Sequence, residues 1–472
     1  MLLGIIKYIL LLLFLAALYV LVGAIVPALV HPRIRPETAE KFAKTPFRGA
    51  AEQGERAAVL SDNQRALAER IRLISRAQRS VILSTFEFRS DTAGKQVLSA
   101  LLEAADRGVR VRVLADGAPA LRSMEGDPCF YALSAHPNAE IRLYNPIRPW
   151  LPWRLMGRMH DKYLIADRTA YILGGRNTYD FFLGEPRKGP RNHDWDVLVW
   201  AQSSADSLEQ LLDYFHAVWD GGSCAVFHND PGLARRRDVA RAAAELRKIH
   251  GEMRASHPDW FEAVDYGAVT QPVFSIRLLS NPTTLYAKEP VVCYSVTELM
   301  AQGEREVRLH TPYIICNGWM MERLSMVCRR VPSVRLLTNS AANNGNPFGV
   351  MDYQGRRKKL LGLGLEILEY DGGISYHGKC VTVDDRLSVV GSFNFDMRSA
   401  YLDTELMLVI DSPAFSRSLR EKMEGYEAAS MRLSAGREPV IPEGHVPREL
   451  SAGRRRKLGL MRAFLGWARF LM

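Results

Sequence analysis

Two patterns of hydrophobic residues divide the chain into an apolar N-terminus and a body of alternating helices and strands. Residues 8–30 form a stretch of 23 positions without a charged side chain. A helix of that length reaches roughly 34 Å, enough to cross a bilayer core. The apolar part of a cleaved signal peptide is usually only about 7–15 residues long. The pattern predicts an uncleaved membrane anchor over residues 1–35, with a cleaved signal or a buried core helix as alternatives.

The rest of the chain alternates amphipathic helices with strands of β-branched and apolar residues, and this order occurs twice. In the first half the units helix, strand, helix, strand are predicted at 67–79, 81–86, 93–106 and 109–114. In the second half they are predicted at 295–302, 307–311, 320–329 and 334–338. Such alternation is typical of an α/β fold with a largely parallel sheet covered by helices on both faces. The sequence therefore predicts two duplicated lobes.

Changes in composition set the boundaries of these units. We expect a first lobe over residues 60–225 and a second over 271–430. A basic helical linker over 226–270 separates them, and its runs of basic residues are typical of a solvated face. The tail, residues 448–472, has seven Lys or Arg against one Glu, and so carries most of the formal net charge of +10.

Composition excludes several classes of protein. The chain has 472 residues, of which 24% are charged and 47% hydrophobic, and these values exclude wholesale disorder. Its six cysteines are too few for a disulfide scaffold and form no C-x-x-C pair, so a zinc site of that type is not expected. Outside the tail the charges nearly balance, which argues against nucleic acid as a partner.

Both ends of the chain are expected to contact a membrane. Apolar residues of the tail recur at steps of three and four, as on one helix face: Leu458, Met461, Phe464, Leu465, Ala468, Leu471 and Met472. A basic amphipathic helix on anionic lipid is favoured, and a helix docked on the protein's own surface is the alternative. One lysine precedes the N-terminal span and five basic residues follow it within 33–48. The positive-inside rule therefore predicts a single-pass cell-membrane protein with a cytoplasmic body.

A motif that occurs twice carries the chemistry. Each copy has a histidine, a lysine two positions later, an aspartate, a Gly-Gly or Gly-Ser pair and an asparagine. The two copies are His160, Lys162, Asp167, Gly174, Gly175 and Asn177, and His377, Lys379, Asp384, Gly391, Ser392 and Asn394. Matched positions are 217 residues apart throughout. One such H-x-K-x4-D pattern should arise by chance only about 0.02 times in a chain of this composition, so the two copies indicate a duplicated site.

Strand periodicity groups the side chains of each copy. Alternate residues of a strand point to the same face, so each histidine shares a face with the lysine two positions later. The small Gly-Gly or Gly-Ser pair lets the backbone approach a ligand closely. Two such groups that face each other across a pseudo-two-fold axis would form one site with two imidazoles, two ammonium groups and two carboxamides.

This set of side chains suits a phosphodiester. Lysine and asparagine donate hydrogen bonds to the non-bridging oxygens and stabilise the charge that develops in the transition state. One neutral histidine can attack phosphorus while the other, protonated, donates to the leaving oxygen. No metal and no cofactor are expected, because the lysines supply the positive charge. The residues themselves do not distinguish the two histidine roles.

Each half also carries a D-x-[DE] triplet before an apolar strand, at 194–196 and 403–405. The second acid of each triplet, Asp196 or Glu405, is predicted to orient a histidine through its other ring nitrogen. The alternative for these acids is a surface charge at the start of a strand.

The two motif copies resemble the phospholipase D superfamily, over roughly residues 67–426, and the blocks at 337–340, 356–361 and 391–399 are similar to bacterial cardiolipin synthases, particularly the C type. The resemblance implies two phospholipase D-like α/β/α sandwich lobes related by pseudo-two-fold symmetry. It implies transfer of a phosphatidyl group from phosphatidylglycerol or phosphatidylethanolamine to the terminal hydroxyl of phosphatidylglycerol through a phosphohistidine. By the same resemblance His160 is the nucleophile and His377 the acid/base.

Other functions of the same residues stay open at this point. A phospholipase D that hydrolyses its substrate would use water in place of the alcohol, and the exclusion of water decides between the two. A nuclease would require a basic groove beyond the tail, and a catalytically silent scaffold would not require two intact motifs. The apolar loop at 149–156, just before His160, is expected either to admit acyl chains or to fill its own core.

Overall fold

The apolar N-terminal stretch folds as one helix, α1 (Leu2–Ala28). The computed structural model describes residues 2–52, 54–185, 191–201 and 205–472. Among these residues, α1 is the one helix long and apolar enough to cross a membrane, with a mean hydropathy of 3.0. Its residues 4–19 are exposed, whereas Ala28 is buried against the body.

Within the described residues the body adds fifteen α-helices to α1 and forms twenty-one strands. The helices are α2 (Pro36–Lys44), α3 (Asn63–Arg76), α4 (Thr92–Asp106), α5 (Gly117–Ser123), α6 (Pro128–Ser134), α7 (Asp180–Leu183), α8 (Asp206–Trp219), α9 (Arg237–Ser256), α10 (Tyr266–Val269), α11 (Val291–Met300), α12 (Gly318–Arg330), α13 (Pro347–Leu361), α14 (Met397–Tyr401), α15 (Pro413–Ala428) and α16 (Ala452–Leu465). The strands are β1 (Glu55–Leu60), β2 (Ser80–Thr85), β3 (Arg110–Asp116), β4 (Ala139–Tyr144), β5 (Tyr163–Ala166), β6 (Ala170–Gly174), β7 (Asn192–His193), β8 (Asp196–Ala201), β9 (Cys224–Val226), β10 (Gln271–Pro272), β11 (Ser275–Ser280), β12 (Glu306–His310), β13 (Ile314–Ile315), β14 (Ser333–Asn339), β15 (Glu366–Tyr370), β16 (Ser375–Tyr376), β17 (Cys380–Val383), β18 (Leu387–Gly391), β19 (Phe395–Asp396), β20 (Leu406–Asp411) and β21 (Ser430–Leu433).

Polar side chains determine where the main body helices begin. Asp62 accepts a hydrogen bond from the backbone N–H of Arg65 at the start of α3, and Asn317 does the same for Met320 at the start of α12. Such N-caps satisfy donors that have no partner inside the helix. Helices predicted from periodicity therefore begin and end within a few residues of their expected positions.

Two large sheets have the same strand order, which is the structural record of the duplication. The first runs β10-β1-β8-β6-β5-β2-β3-β4-β9, and the second runs β11-β20-β18-β17-β12-β14-β15-β21. Eight strands correspond one to one, from β1 with β11 to β9 with β21, and β10 is an extra edge strand. The predicted α/β fold with two duplicated lobes is confirmed.

The expectation of largely parallel sheets is wrong. In the two large sheets, β2, β3 and β4 pair in parallel with one another, as do β12, β14 and β15, and the other pairs are antiparallel. The physical reason lies in the motif segments. Each forms a tight hairpin, β5–β6 or β17–β18, which reverses the chain without a helical crossover.

The segment predicted as a linker packs on the first lobe. Its helix α9 lies against α4 and α6, and Val239, Ala242, Leu246 and Met253 join the buried core beneath them. At its end β10 pairs with β1 at the edge of the first sheet. Residues 226–270 therefore cover one face of the first lobe, and the second sheet begins at β11.

The two lobes meet along a shared core and two short backbone pairings. One buried cluster contains Tyr163 and Trp195 from the first lobe with Tyr376 and Cys380 from the second. Strand β7 pairs in parallel with β16, and Met159 forms a parallel bridge with Thr404. His193, Tyr376 and Met159 each lie directly before an acidic triplet or a motif histidine, and Thr404 lies within the second triplet, so the lobe interface positions the motif residues of both halves.

The C-terminal tail is docked on the second lobe. Leu458 of α16 packs with Val350 and Met351 of α13, and Ala468 is buried in the following 3₁₀ helix. Phe464 and Trp467 remain exposed. The apolar face predicted for the tail is therefore divided between a part that contacts the protein and a part that does not.

Candidate active site

Each motif histidine is held by an acid from the opposite lobe. Nδ1 of His160 lies 2.9 Å from Oε1 of Glu405, and Nδ1 of His377 lies 2.7 Å from Oδ2 of Asp194. Both acids are fully buried, and the two rings keep 13% and 18% of their side-chain surface exposed. A carboxylate on Nδ1 fixes the ring orientation and leaves Nε2 of each histidine as its reactive atom.

The acid that orients His377 is Asp194 and not the predicted Asp196. The carboxylate of Asp196 instead lies 2.9 Å from the guanidinium of Arg70 and 3.2 Å from that of Arg176. All three side chains are buried, so this ion-paired group stabilises the first lobe. The expectation that Asp196 orients a histidine is therefore corrected. Glu405 does contact a histidine, and that histidine, His160, belongs to the other lobe.

Sheet register explains why the two acidic triplets are not equivalent. Gly174 of β6 lies opposite Asp196 of β8, whereas Gly391 of β18 lies opposite Met407 of β20. The orienting acid lies two residues before that position in both lobes. The two D-x-[DE] triplets are therefore offset by two residues in the sheets, and Asp194 matches Glu405. A shift of two residues keeps the same face of the strand.

The second position of each Gly pair supports the orienting acid. The hydroxyl of Ser392 donates a hydrogen bond to Oε2 of Glu405. At the matched position, a Cβ added to Gly175 would lie 2.2 Å from Oδ1 of Asp194. Asp194 thus occupies the space that a side chain at position 175 would need. This is the local steric reason why the first copy has glycine where the second has serine.

Both motif lysines are buried beside their histidines. The ammonium group of Lys162 donates to the backbone carbonyl of His160, and that of Lys379 donates to the carbonyl of His377. Nζ of Lys379 also lies 3.2 Å from Nε2 of His377 and 3.8 Å from Oδ2 of Asp194. Lys379 therefore lies beside both ring nitrogens of His377, and Lys162 lies beside the backbone of His160.

Burial and the lysines keep both imidazoles neutral. Burial and the nearby ammonium of Lys162 hold the pKa of His160 well below its ordinary value. Burial and Lys379 lower the pKa of His377 to about 4, against the opposing effect of Asp194. Each ring also interacts with the lysine of the other motif, which shows that the four side chains form one electrostatic site.

The charged partners of the rings are shifted as well. Burial lowers the pKa of Lys162 to about 7 and that of Lys379 to about 8. Burial raises the pKa of Glu405 to about 7, although Lys162 opposes the shift. Burial also disfavours the charged form of Asp194, but Lys379 and the His377 ring outweigh it and bring its pKa below the ordinary value. Such shifts in one cluster are typical of a catalytic centre.

Asn177 and Asn394 lie two residues beyond the Gly175 or Ser392 position that contacts an orienting acid. Both side chains are buried. Among the described residues, neither side-chain carbonyl oxygen has a hydrogen-bond partner. These are polar groups at matched positions that the protein itself leaves unsatisfied.

The motif aspartates do not enter the site, and the expectation that they are catalytic is corrected. Asp167 lies in the left-handed region at the tip of the β5–β6 hairpin, roughly 16 Å along the extended chain from Lys162. Its carboxylate accepts hydrogen bonds from the backbone N–H groups of residues 78, 79 and 80. Asp384 does the same for residues 304, 305 and 306. Both aspartates hold a hairpin tip to the turn that follows a helix.

No group of three or more His, Cys, Asp or Glu in the described parts of the chain has a geometry that would hold a metal ion. The positive charge at the two histidines is supplied by Lys162 and Lys379. The arrangement therefore combines two imidazoles, each with a free Nε2, with two ammonium groups that can attract an anion.

A sequence profile described as "Cardiolipin synthase, PLD-like domain" matches residues 70–219 and 296–426, more than half of the chain. The chain belongs to this family, as an enzyme of the phospholipase D superfamily. The two matched ranges contain the two motif copies, one in each lobe.

Relatives of this phospholipase D family enzyme include named cardiolipin synthases. The chain is 29% identical over 420 residues to cardiolipin synthase C of Escherichia coli strain K12, which covers 77% of this chain and 83% of the relative. It is 27% identical over 365 residues to cardiolipin synthase B of Salmonella typhi, with 75% of each chain covered. An uncharacterized protein of Helicobacter pylori strain 26695 is 26% identical over 448 residues, covering 86% of this chain and 84% of that protein.

Among solved structures, a phosphatidylserine synthase of Haemophilus influenzae Rd KW20 has a similar fold. Its TM-score is 0.64 at 14% sequence identity, and the match covers 92% of this chain and 99% of that one. At this identity the likeness concerns the fold, and it shows that both phospholipase D lobes are arranged as in a known structure.

Two aromatic contacts of this phospholipase D family site were missed by sequence reasoning. The ring of Phe86 lies edge-on to His160 with 5.3 Å between centroids, and the ring of Phe182 lies edge-on to His377 at 5.1 Å. Nζ of Lys162 also lies 5.4 Å from the Phe86 ring centroid. The position of Phe86 at the end of the strand next to β5 is the feature of the sequence that could have indicated it.

We expect that Gly175→Ala lowers kcat roughly 10–100-fold, because a displacement of about 1 Å at a catalytic group costs that much. The added methyl group would push the Asp194 carboxylate away from His377. Gly425→Ala is the matched control, since nothing lies within 4 Å of a Cβ at that helical position. Turnover and the melting temperature of both variants check the prediction. An unaltered kcat for Gly175→Ala would show that the close approach to Asp194 has no catalytic importance.

Proposed function

We propose that this protein is a membrane-associated phosphatidyltransferase that makes cardiolipin from phosphatidylglycerol. The observation that carries the proposal is the pair of imidazoles whose Nδ1 atoms are each held by a buried acid of the opposite lobe, with two lysines beside them. The named cardiolipin synthases among its relatives support the choice of substrate. Phosphatidylglycerol or phosphatidylethanolamine would be the donor.

In the first step, Nε2 of His160 attacks the phosphorus of the donor lipid. A P–N bond forms and the P–O bond to the headgroup breaks. His377, once protonated, donates its proton to the departing alkoxide, so that a neutral alcohol leaves. The bound phosphate anion favours protonation of His377, whose pKa of about 4 describes the site before an anion is present. The assignment of His160 as the nucleophile rests on the family resemblance.

In the second step, the terminal hydroxyl of phosphatidylglycerol attacks the phosphohistidine. His377, now neutral, accepts the hydroxyl proton while the new P–O bond forms and the P–N bond breaks. Cardiolipin leaves and both imidazoles return to their starting states. Lys162 and Lys379 neutralise the non-bridging oxygens in both steps, because each ammonium group is held beside its own motif histidine and acts electrostatically on both rings.

A phospholipase D that hydrolyses its substrate is the second candidate, because water could replace the alcohol in the second step. The experiment that separates the two uses the full chain with labelled phosphatidylglycerol, alone and with phosphatidylethanolamine. Cardiolipin as the main labelled product supports the transferase, and phosphatidic acid as the main product supports the hydrolase. If neither forms, this proposal is wrong.

We expect kcat/KM to fall as pH rises through about 7 to 8. Both lysines bind the phosphodiester as ammonium ions, and their lowered pKa values of about 7 and about 8 mean that rising pH removes these charges from the free enzyme. The substrate phosphodiester does not titrate in this range, so the falling limb reports the enzyme. Lys379→Arg is the control, because arginine keeps its charge and should reduce the steepness of the decline. A profile of kcat/KM that is flat or rising above pH 8 contradicts the prediction.

We infer that the body lies on the cytoplasmic side of the cell membrane, anchored by α1. Five basic residues within 33–48 follow the apolar span, and one lysine precedes it. Protease treatment of intact spheroplasts and of inverted membrane vesicles tests this orientation. Digestion of the body in inverted vesicles alone is the expected result, and digestion in intact spheroplasts would reverse the topology.

A further inference from the structure

Four large aromatic side chains are exposed on the body close to the membrane helix. They form a set that we call the aromatic rim: Trp150, Trp153, Phe464 and Trp467, with exposures of 67%, 37%, 71% and 62%. Two belong to the loop just before His160, and two belong to the C-terminal tail. Isolated exposed apolar residues are common, but a group of large ones marks an interaction surface.

The rim surrounds the inner end of α1. The hydroxyl of Tyr19 donates a hydrogen bond to the backbone carbonyl of Trp150 at 3.1 Å. Gly23 lies directly against Pro152, since an added Cβ would be 2.4 Å from Cγ of that proline. These contacts seat the second half of the helix on the loop before His160.

The tail joins the same place. Ala28 of α1, Met156 of the loop and Phe470 of the tail share one buried cluster. Arg398 connects them further, because its side chain donates to the carbonyl of Met156 at 2.8 Å and its backbone N–H donates to the carbonyl of Met472 at 2.9 Å. Loop, tail and helix end therefore form one continuous surface.

The length of α1 places this surface at a particular depth. A bilayer core takes about 20 helical residues. Counted from Tyr8, where the uncharged stretch begins, such a core ends near Pro27. Tyr19 and Gly23 are the residues that touch Trp150 and Pro152. These contacts lie within about the last two turns of the core, so the rim lies next to the boundary between hydrocarbon and headgroups, where tryptophan and tyrosine are enriched.

Charge around the rim fits an anionic membrane. Residues 450–472 contain six Lys or Arg and no Asp or Glu, and residues 145–160 contain three arginines and no acid. Exposed basic side chains flank the rim on both sides: Arg148, Arg455, Arg456, Lys457 and Arg462. Basic residues beside interfacial aromatics bind anionic headgroups.

We propose that the aromatic rim inserts into the headgroup layer of the same bilayer that holds α1, a bilayer that carries anionic lipid. The catalytic body is then seated on the membrane at fixed depth and orientation. The loop that carries Trp150 and Trp153 leads along the chain directly into His160. The proposal goes beyond the proposed function and rests on its membrane location, but not on any product of the reaction.

The test uses the full chain reconstituted in vesicles of phosphatidylcholine and a minority of phosphatidylglycerol, with bromine on the acyl chains of the phosphatidylcholine. Bromine quenches tryptophans that reach the acyl-chain boundary. We expect Trp150→Phe and Trp467→Phe each to reduce the quenchable part of the emission, and the double variant to reduce it further, to the part that Trp153 contributes. Trp219→Phe is the control, since Trp219 is buried in the first lobe and its removal should leave the quenchable part unchanged.

Equal quenching of the wild-type chain and of the double variant overturns the proposal. So does a wild-type chain that is not quenched while sedimentation shows a dimer, because a second copy would then cover the rim. The readout needs no turnover, so failure of the rim proposal and failure of cardiolipin synthesis are distinguishable.

Discussion

His160→Ala and His377→Ala are each expected to lower phosphatidyl transfer by about 10³-fold or more, because removal of a nucleophile or of its acid/base partner typically costs this much. Both rings contact the buried acid of the opposite lobe through Nδ1, so Nε2 of each faces the place where phosphorus would lie. The fold should persist because the lobes are held together by their shared apolar core, although each ring is more than four-fifths buried and contacts an acid and an aromatic ring. Initial rates of labelled cardiolipin formation measure the effect.

His136→Ala is the control for these two variants, because His136 pairs with Asp106 far from the motifs along the chain. Melting temperatures of all three variants separate loss of chemistry from loss of fold. If either His160→Ala or His377→Ala retains full activity, a mechanism with two histidines is excluded.

The same variants assign the two histidine roles. A donor labelled at phosphorus should leave label on the protein in His377→Ala and not in His160→Ala, since His160 is the proposed nucleophile. If label is found on the His160→Ala variant and not on the His377→Ala variant, His377 is the nucleophile and His160 the acid/base, and the rest of the mechanism is unchanged.

Asp194→Asn and Glu405→Gln are expected to lower kcat roughly 10²–10⁴-fold, because a neutral amide no longer stabilises the charged imidazole or holds its tautomer. Each acid contacts the histidine of the opposite lobe, so each variant should alter a residue that is distant in sequence. Asp194→Asn should alter His377, which lies 183 residues away in sequence, and Glu405→Gln should alter His160, which lies 245 residues away. A small reagent that modifies histidine side chains is used to label each ring at a series of pH values. The pH dependence of the labelling identifies which ring has changed.

Asp196→Asn separates orientation from stability. Asp196 is buried between Arg70 and Arg176, so its variant leaves two buried cations with a weakened partner. We expect a loss of about 3–5 kcal/mol in the free energy of unfolding. Thermal and urea unfolding measure it. An Asp194→Asn variant with wild-type kcat, or an Asp196→Asn variant that is stable but inactive, would restore Asp196 as the orienting acid.

Local patterns were sufficient for the elements and for the motif. The helices α3 and α4 and the strands β2 and β3 lie within a few residues of their predicted positions, because amphipathic periodicity and capping residues act over short distances. The mixture of parallel and antiparallel strand pairs in each sheet was not predictable in the same way. In a sequence, an apolar strand can be followed either by a hairpin or by a helical crossover. The turn at Asp167 is identified as a hairpin tip only in the structure, where its carboxylate accepts hydrogen bonds from the backbone N–H groups of residues 78–80.

The amino-acid sequence by itself determined the duplication, the paired histidines and lysines, the long apolar N-terminal helix and the family, since each of these is a pattern of residue types along the chain. Tertiary structure alone decided that Asp194 and Glu405 hold the histidines, that Asp167 and Asp384 serve turns, and that α1 is seated on the loop before His160. The physical reason is common to all three. Residues two apart on a strand share a face, so only the register between strands chooses Asp194 over Asp196, and contacts across a lobe interface depend on how two separate cores meet.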